Sequence, residues 1–317
     1  MTLNRLKTKF CGLEMKNPLM TASGTFGWGT EYSDYFDPND LGAVVLKGLT
    51  LEPRTGNAGT RIAETPGGML NSIGLENPGI DVFEKETVKI LRENLGNTLS
   101  IANINGKTIE EYVEIAKRVE AIPEIAAIEL NISCPNVKDG GMAFGANPEV
   151  AGKVTKLVRE VTTKPLIVKL SPNVTNVVEI AKIVEENGAD AIAVINTLLG
   201  MAIDIKKRKP VLGNVFGGFS GPAVKPVALR IVYQIRKATN LPILGMGGVA
   251  SAEDVIEFMM AGANTVALGT GFFMNPNLCT DVVEGLNKYC EENGLNNIEE
   301  IVNAAHTDIP APTCSCE

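Results

Sequence analysis

LPILGMGGVASAEDVIEFMMAGANTVALGTGFF, residues 241–273, holds the unit from which the fold is read. Two short apolar runs, 241–247 and 264–269, flank an amphipathic stretch at 251–261. Ser251 stands just before Glu253 and Asp254 and reads as a helix N-cap, and Gly262 reads as the stop. Apolar runs this short, rich in Val, Ile, Leu and Ala, suit parallel strands buried on both faces. Both runs end in glycine. Gly247 and Gly248 lead into the helix N-terminus, and Gly269, Thr270 and Gly271 follow the second run.

Outward from this unit the same pattern recurs at 17–23 (NPLMTAS), 42–48 (GAVVLKG), 99–105 (LSIANIN), 126–133 (AAIELNIS), 165–171 (PLIVKLS) and 189–196 (ADAIAVIN). Amphipathic stretches lie between them at 108–121, 175–187 and 223–239, with Thr108 as a further N-cap and Gly188 as a further stop. Eight strand–helix units in one chain predict an α/β protein, a (β/α)8 TIM barrel with its active site at the carboxyl ends of the strands. An open doubly wound sheet would want G-x-G-x-x-G after the first strand, and SGTFGWG at 23–29 lacks that spacing. The stretches 49–79 and 197–222 are too long for ordinary connections and are expected to be functional loops at the mouth. The expected organisation is one barrel domain over 1–300 and a C-terminal tail over 301–317.

Composition narrows the chemistry. The 317 residues carry 29 Lys and Arg against 37 Asp and Glu, a net charge of −8 that argues against a nucleic-acid partner. No apolar run has the length of a membrane span, and MTLNRLKTKFCG at the start resembles neither a signal segment nor an anchor. Six cysteines, at 11, 134, 279, 290, 314 and 316, have no disulfide-scaffold density and match no zinc or iron–sulfur spacing, which suits a reducing cytoplasm. The single histidine, His306, sits in the polar stretch HTDIPAPTCSCE. Acid–base work therefore falls to Cys, Lys, Asp or Glu, or to a cofactor.

In a barrel the polar residues that end apolar strands collect at one rim. Lys47 closes AVVLK and Lys169 closes LIVK, either as internal ion pairs or as contacts to an anionic or electron-accepting ligand. Asn71, Asn103, Asn131 and Asn196 fall on strand ends or just beyond, where four carboxamides suit a flat ring with carbonyl and N–H edges. The glycines after the last two strands are either tight turns or the usual barrel phosphate seat, and their position favours the seat. Cys134, in NISCPN, is either a small buried side chain or a general base in a loop over the mouth.

The stretches MTASGTFGWG (20–29), VVLKGLTLEPRTGN (44–57), GGMLNSIGLENPG (67–79), ELNISCPN (129–136), VINTLLGMAID (194–204) and GNVFGGFSGPAVKPVALR (213–230) resemble the dihydroorotate dehydrogenase family, and in detail the catalytic subunit of its NAD-linked class 1B. The resemblance runs from about residue 5 to 290. It implies an FMN enzyme that oxidises dihydroorotate to orotate in pyrimidine biosynthesis. It places Ser23, Lys47, Gly48, Asn103, Asn131, Lys169, Ile195, Gly221, Gly247, Gly248, Gly269 and Thr270 at the flavin. Lys47, Asn71, Ser72, Ile73, Gly74, Leu75, Asn131, Asn196 and Thr197 are placed at the pyrimidine, and Cys134 becomes the catalytic base. Electrons would leave through a second subunit carrying FAD and a [2Fe-2S] cluster, in a heterotetramer of two chains of each kind. A quinone-linked relative would need an N-terminal amphipathic segment and typically a serine base. Two competing readings are another FMN barrel, fumarate-linked or acting on dihydropyrimidines, and a Schiff-base aldolase using Lys169.

Overall fold

The computed structural model describes residues 4–133 and 144–308. Eight parallel strands close a barrel, β1 (Leu19–Thr21), β2 (Ala43–Val45), β3 (Leu99–Ile104), β4 (Ile125–Asn131), β5 (Leu166–Lys169), β6 (Ala191–Val194), β7 (Ile243–Met246) and β8 (Thr265–Leu268). Each coincides with one of the eight apolar runs, β4 starting one residue ahead of its run at Ile125, and each pairs with its sequence neighbour, β8 returning to β1.

The runs are apolar throughout because both strand faces are buried. On β2, Ala43 and Val45 point into the barrel, while Val44 packs outward under the helices. Met20, Ile101, Ala127, Ile167, Ala191, Ala193, Leu244, Met246 and Ala267 join them in the inner cluster. An N-terminal hairpin, Thr8–Phe10 with Leu13–Met15, adds Phe10 and Met15 to that cluster and plugs the amino end of the barrel. A ligand must therefore enter from the carboxyl end.

The helices begin and end where side chains and backbone dictate. The Thr108 hydroxyl accepts from the Glu111 N–H and the Ser251 hydroxyl from the Asp254 N–H. Gly188 and Gly262 follow their helices at φ of +95° and +116°.

The two long connections are more ordered than loops. Ile62–Thr65 and Gly68–Asn71 from the first pair with Gly217–Ser220 and Leu198–Gly200 from the second in one four-stranded antiparallel sheet over the mouth.

The chain beyond residue 300 also differs from expectation. Ile301 and Val302 are buried, and the Asn303 and Ala305 N–H groups donate to the Met259 and Met260 carbonyls. His306 is only 7% exposed rather than on a polar surface. It stacks on Tyr233 at 3.9 Å between ring centroids, with Nε2 on the Ala261 carbonyl at 2.9 Å. That carbonyl only accepts, so Nε2 is the donor in this contact. Cys314 and Cys316 lie outside the described residues, as does Cys134.

Candidate active site

On the inward faces of β3, β4 and β5 the residues change from apolar to polar toward the carboxyl end. Ile101 is followed two positions on by Asn103, Ala127 by Glu129 and Asn131, and Ile167 by Lys169. Strand register sets Asn103 beside Glu129 and Asn131 beside Lys169. The two-residue period of a strand and the parallel ladder therefore assemble a polar floor from residues far apart in the chain.

Above this floor lies a cavity of about 280 Å³. Ser23, Lys47, Gly48, Asn103, Asn131, Lys169, Ile195, Gly221, Gly247, Gly248, Gly269 and Thr270 all line it, together with Asn71 through Leu75, Asn196 and Thr197. Every residue singled out from the sequence is thus at one site, except Cys134, which lies outside the described residues. Phe219 and Ser220, from the sheet over the mouth, complete one wall.

The polar groups are held by one another. Ser133 Oγ donates to Asn131 Oδ1 at 2.6 Å, and Asn196 Nδ2 donates to Ser133 Oγ at 2.6 Å. The Tyr112 hydroxyl donates to the Asn131 carbonyl at 2.7 Å. Lys169 Nζ donates to Ser23 Oγ at 3.2 Å and lies 3.5 Å from Glu129 Oε1. The internal ion pair considered for such a lysine is therefore present, yet Lys169 also faces the cavity. Lys47, half-buried, makes no side-chain hydrogen bond or salt bridge among the described residues, though its charge acts on the Glu76 carboxylate. Ser72 Oγ is buried and likewise has no partner there.

The glycine turns after β7 and β8 bring bare backbone to the cavity. Among the described residues, the N–H groups of Gly247, Gly248, Gly269 and Thr270 donate to no protein acceptor. Free backbone donors beside a helix N-terminus are what a phosphate needs. The loop is fixed from behind, where Asp254 accepts from the Ala250 N–H at 2.7 Å and from Lys225 Nζ at 2.6 Å.

Other thiols are poor candidates for chemistry. Burial pushes the Cys279 thiol up to about 12, and burial followed by Asp190 does the same for Cys11, keeping both protonated. No group of metal-ligating side chains occurs among the described residues. Among those residues no helix is long and apolar enough to cross a membrane.

The sequence profile of the dihydroorotate dehydrogenase family matches residues 5–290. The chain belongs to that family. It is 56% identical over 306 residues to the "dihydroorotate dehydrogenase B (NAD(+)), catalytic subunit" of Desulforamulus reducens, covering 96% of this chain and 100% of the relative. The protein of the same name from Brachyspira hyodysenteriae is 54% identical over 305 residues, with 96% and 100% covered. That from Geotalea uraniireducens is 52% identical over 302 residues, with 95% and 98% covered. Dihydroorotate dehydrogenase membership sets the aldolase reading of Lys169 aside. Strand-end reading passed over Phe219 and Ser220 in the cavity wall and Glu129 beneath the floor. Glu129 stands two positions before the end of β4, an acid inside AAIELN, and an acid in an apolar strand was the signal for it.

Proposed function

We propose that this chain is the FMN-binding catalytic subunit of a cytoplasmic, NAD-linked dihydroorotate dehydrogenase, oxidising dihydroorotate to orotate in pyrimidine biosynthesis. The carrying observation is the convergence, in one cavity, of a free-amide anion seat, two lysines and a set of asparagines on a family barrel. The donor set fits FMN. The N–H groups of Gly247, Gly248, Gly269 and Thr270 suit its phosphate, and Lys47, Lys169, Asn103 and Asn131 suit the polar edge of its ring. The orphan Ser72 hydroxyl and the Asn71–Leu75 segment suit the substrate beyond it.

Bound FMN supplies the hydride acceptor. The protein does the rest. The asparagines hold the pyrimidine ring so that its two breaking C–H bonds align. Cys134 takes the proton from C5. Lys169 and Lys47 place positive charge where electron density accumulates. The sheet over the mouth keeps water from the reacting atoms.

Electrons leave through a second subunit, for which FAD and a [2Fe-2S] cluster are proposed, in a heterotetramer with two copies of each chain. The relatives' names as catalytic subunits of an NAD(+) enzyme support this arrangement over a fumarate-linked one. So do the large apolar side chains left exposed on the 197–222 insertion, Leu199, Ile203, Ile205 and Phe216.

Anaerobic stopped-flow tests the reading. The isolated chain, purified with its flavin identified as FMN, should bleach with dihydroorotate and react poorly with NAD. Cys134→Ala should slow the bleaching by about 10²–10⁴, the worth of a positioned base. A parental rate in Cys134→Ala removes Cys134 from the chemistry, and a colourless protein that takes up no FMN overturns the whole reading.

A further inference from the structure

We propose that Glu129 is a positioning residue of the cofactor site, its buried carboxylate holding the Lys169 ammonium and the Asn103 carboxamide against the flavin. The inference rests on the FMN reading and deepens it. Glu129 is 0% exposed and Lys169 4%. A carboxylate wholly removed from water is costly unless it is paired and hydrogen-bonded, and an apolar pair of similar volume often serves stability as well. Packing alone therefore gives no reason for an acid at this position on β4.

Its contacts give one. Glu129 Oε1 accepts from Asn103 Nδ2 at 2.5 Å and lies 3.5 Å from Lys169 Nζ. Asn103 is steered from its other side as well, since its Oδ1 accepts from Asn105 Nδ2 at 2.7 Å. Lys169 is tethered between Glu129 and Ser23. Asn103, Lys169 and Ser23 all line the cavity, and Glu129 does not. One carboxylate beneath the floor thus fixes two side chains that face the ligand. Apart from Lys169, the ionisable side chains lining the cavity among the described residues are Lys47, which is positive, and Glu76, whose carboxylate is taken by Arg61 at 2.5 Å. Glu129 is the counter-ion left to Lys169. It fixes the ammonium's position and balances its charge in a place with little water.

FMN titrated into flavin-stripped protein between pH 7 and 10, followed by fluorescence quenching, separates this role from simple packing. Glu129→Gln keeps the shape and the acceptor for Asn103 but removes the charge. The Lys169 ammonium is then buried without a counter-ion, and FMN affinity should weaken by about tenfold or more toward high pH. Glu129→Asp keeps the charge and should keep the parental pH profile. The double variant Glu129→Gln with Lys169→Met has no charge to lose there, so the step should vanish. A Glu129→Gln protein that tracks the parent at every pH overturns the proposal. If Glu129→Gln fails to fold, a folded double variant supports the pairing, and failure of both makes the residue structural and defeats the proposal. A parent that takes up no FMN would instead defeat the functional reading beneath it.

Discussion

Gly248 and Gly269 both line the proposed anion seat, but they are glycine for different reasons. Gly248 has φ of +80°, and a Cβ there would lie 2.8 Å from the Gly221 carbonyl oxygen and from the Lys225 nitrogen. A side chain at 248 presses on backbone before it reaches a ligand, so Gly248→Val should lose stability and flavin together. At Gly269 a Cβ would meet only Ala22 Cβ at 3.3 Å and Thr25 Cγ2 at 4.0 Å, with no left-handed backbone to strain. Gly269→Ala is therefore the cleaner probe. It should melt close to the parent and bind FMN about tenfold more weakly, a loss of about 1.4 kcal/mol. A folded Gly269→Ala with parental affinity would move the phosphate elsewhere. At this scale the sequence is most readable where a polar residue ends an apolar strand, as Lys169 and Asn131 do. Glu129 escapes that rule because its side chain lies one inward position deeper, below the floor it supports.

Strand and helix elements follow from local pattern, but their long-range partners do not. The lengths of 49–79 and 197–222 announce something at the mouth, yet Asn71 and Gly218 pair across 147 residues of chain. Neither segment alternates regularly enough to reveal its register in isolation. A similar long-range tie, at the opposite end of the barrel, gives a pH prediction. Glu120 ends the helix Ile109–Glu120 and accepts from the Thr163 hydroxyl at 2.6 Å, from the Thr162 hydroxyl and from the Lys164 N–H, just ahead of β5. Burial is the largest single influence and pushes this carboxyl up. The hydrogen bonds from Thr162, Thr163 and Lys164 together outweigh it and bring the group from 4.5 down to about 2. A depressed folded value means the contribution to stability is present above the unfolded value and is lost as pH falls from about 4.5 toward 2. Glu120→Gln should accordingly be less stable than the parent at neutral pH, with the gap narrowing through that acid window. Urea midpoints at pH 7 and pH 3 measure it, and a gap of constant size would show that the carboxylate charge is not what ties the helix to β5.

For the whole molecule, eight short apolar runs were enough to announce a closed barrel, since parallel strands buried on both faces leave little else for them to form. Where the domain ends was not legible in the same way. No regular apolar periodicity marks IVNAAHTDIP at 301–310, and a histidine beside polar residues gives no sign of burial. The contact that encloses it, the face of Tyr233, comes from the helix Lys225–Arg236, about seventy residues earlier, and ring stacking leaves no periodic trace in sequence. Residues 301–306 nevertheless pack on the barrel. A chain stopped at residue 300 loses the buried Ile301 and Val302, the two backbone bonds onto Met259 and Met260 and the His306–Tyr233 stack. Two buried aliphatic side chains alone are worth about 3 kcal/mol or more. That chain should melt about 5 °C or more below the full-length protein, while one stopped at 308 keeps all of these contacts, including the Lys237–Asp308 ion pair at 2.8 Å. Calorimetry on the two truncations decides the matter. If the chain ending at 300 melts with the full-length protein, residues 301–306 rest on the barrel without holding it, and the domain closes at 300 after all.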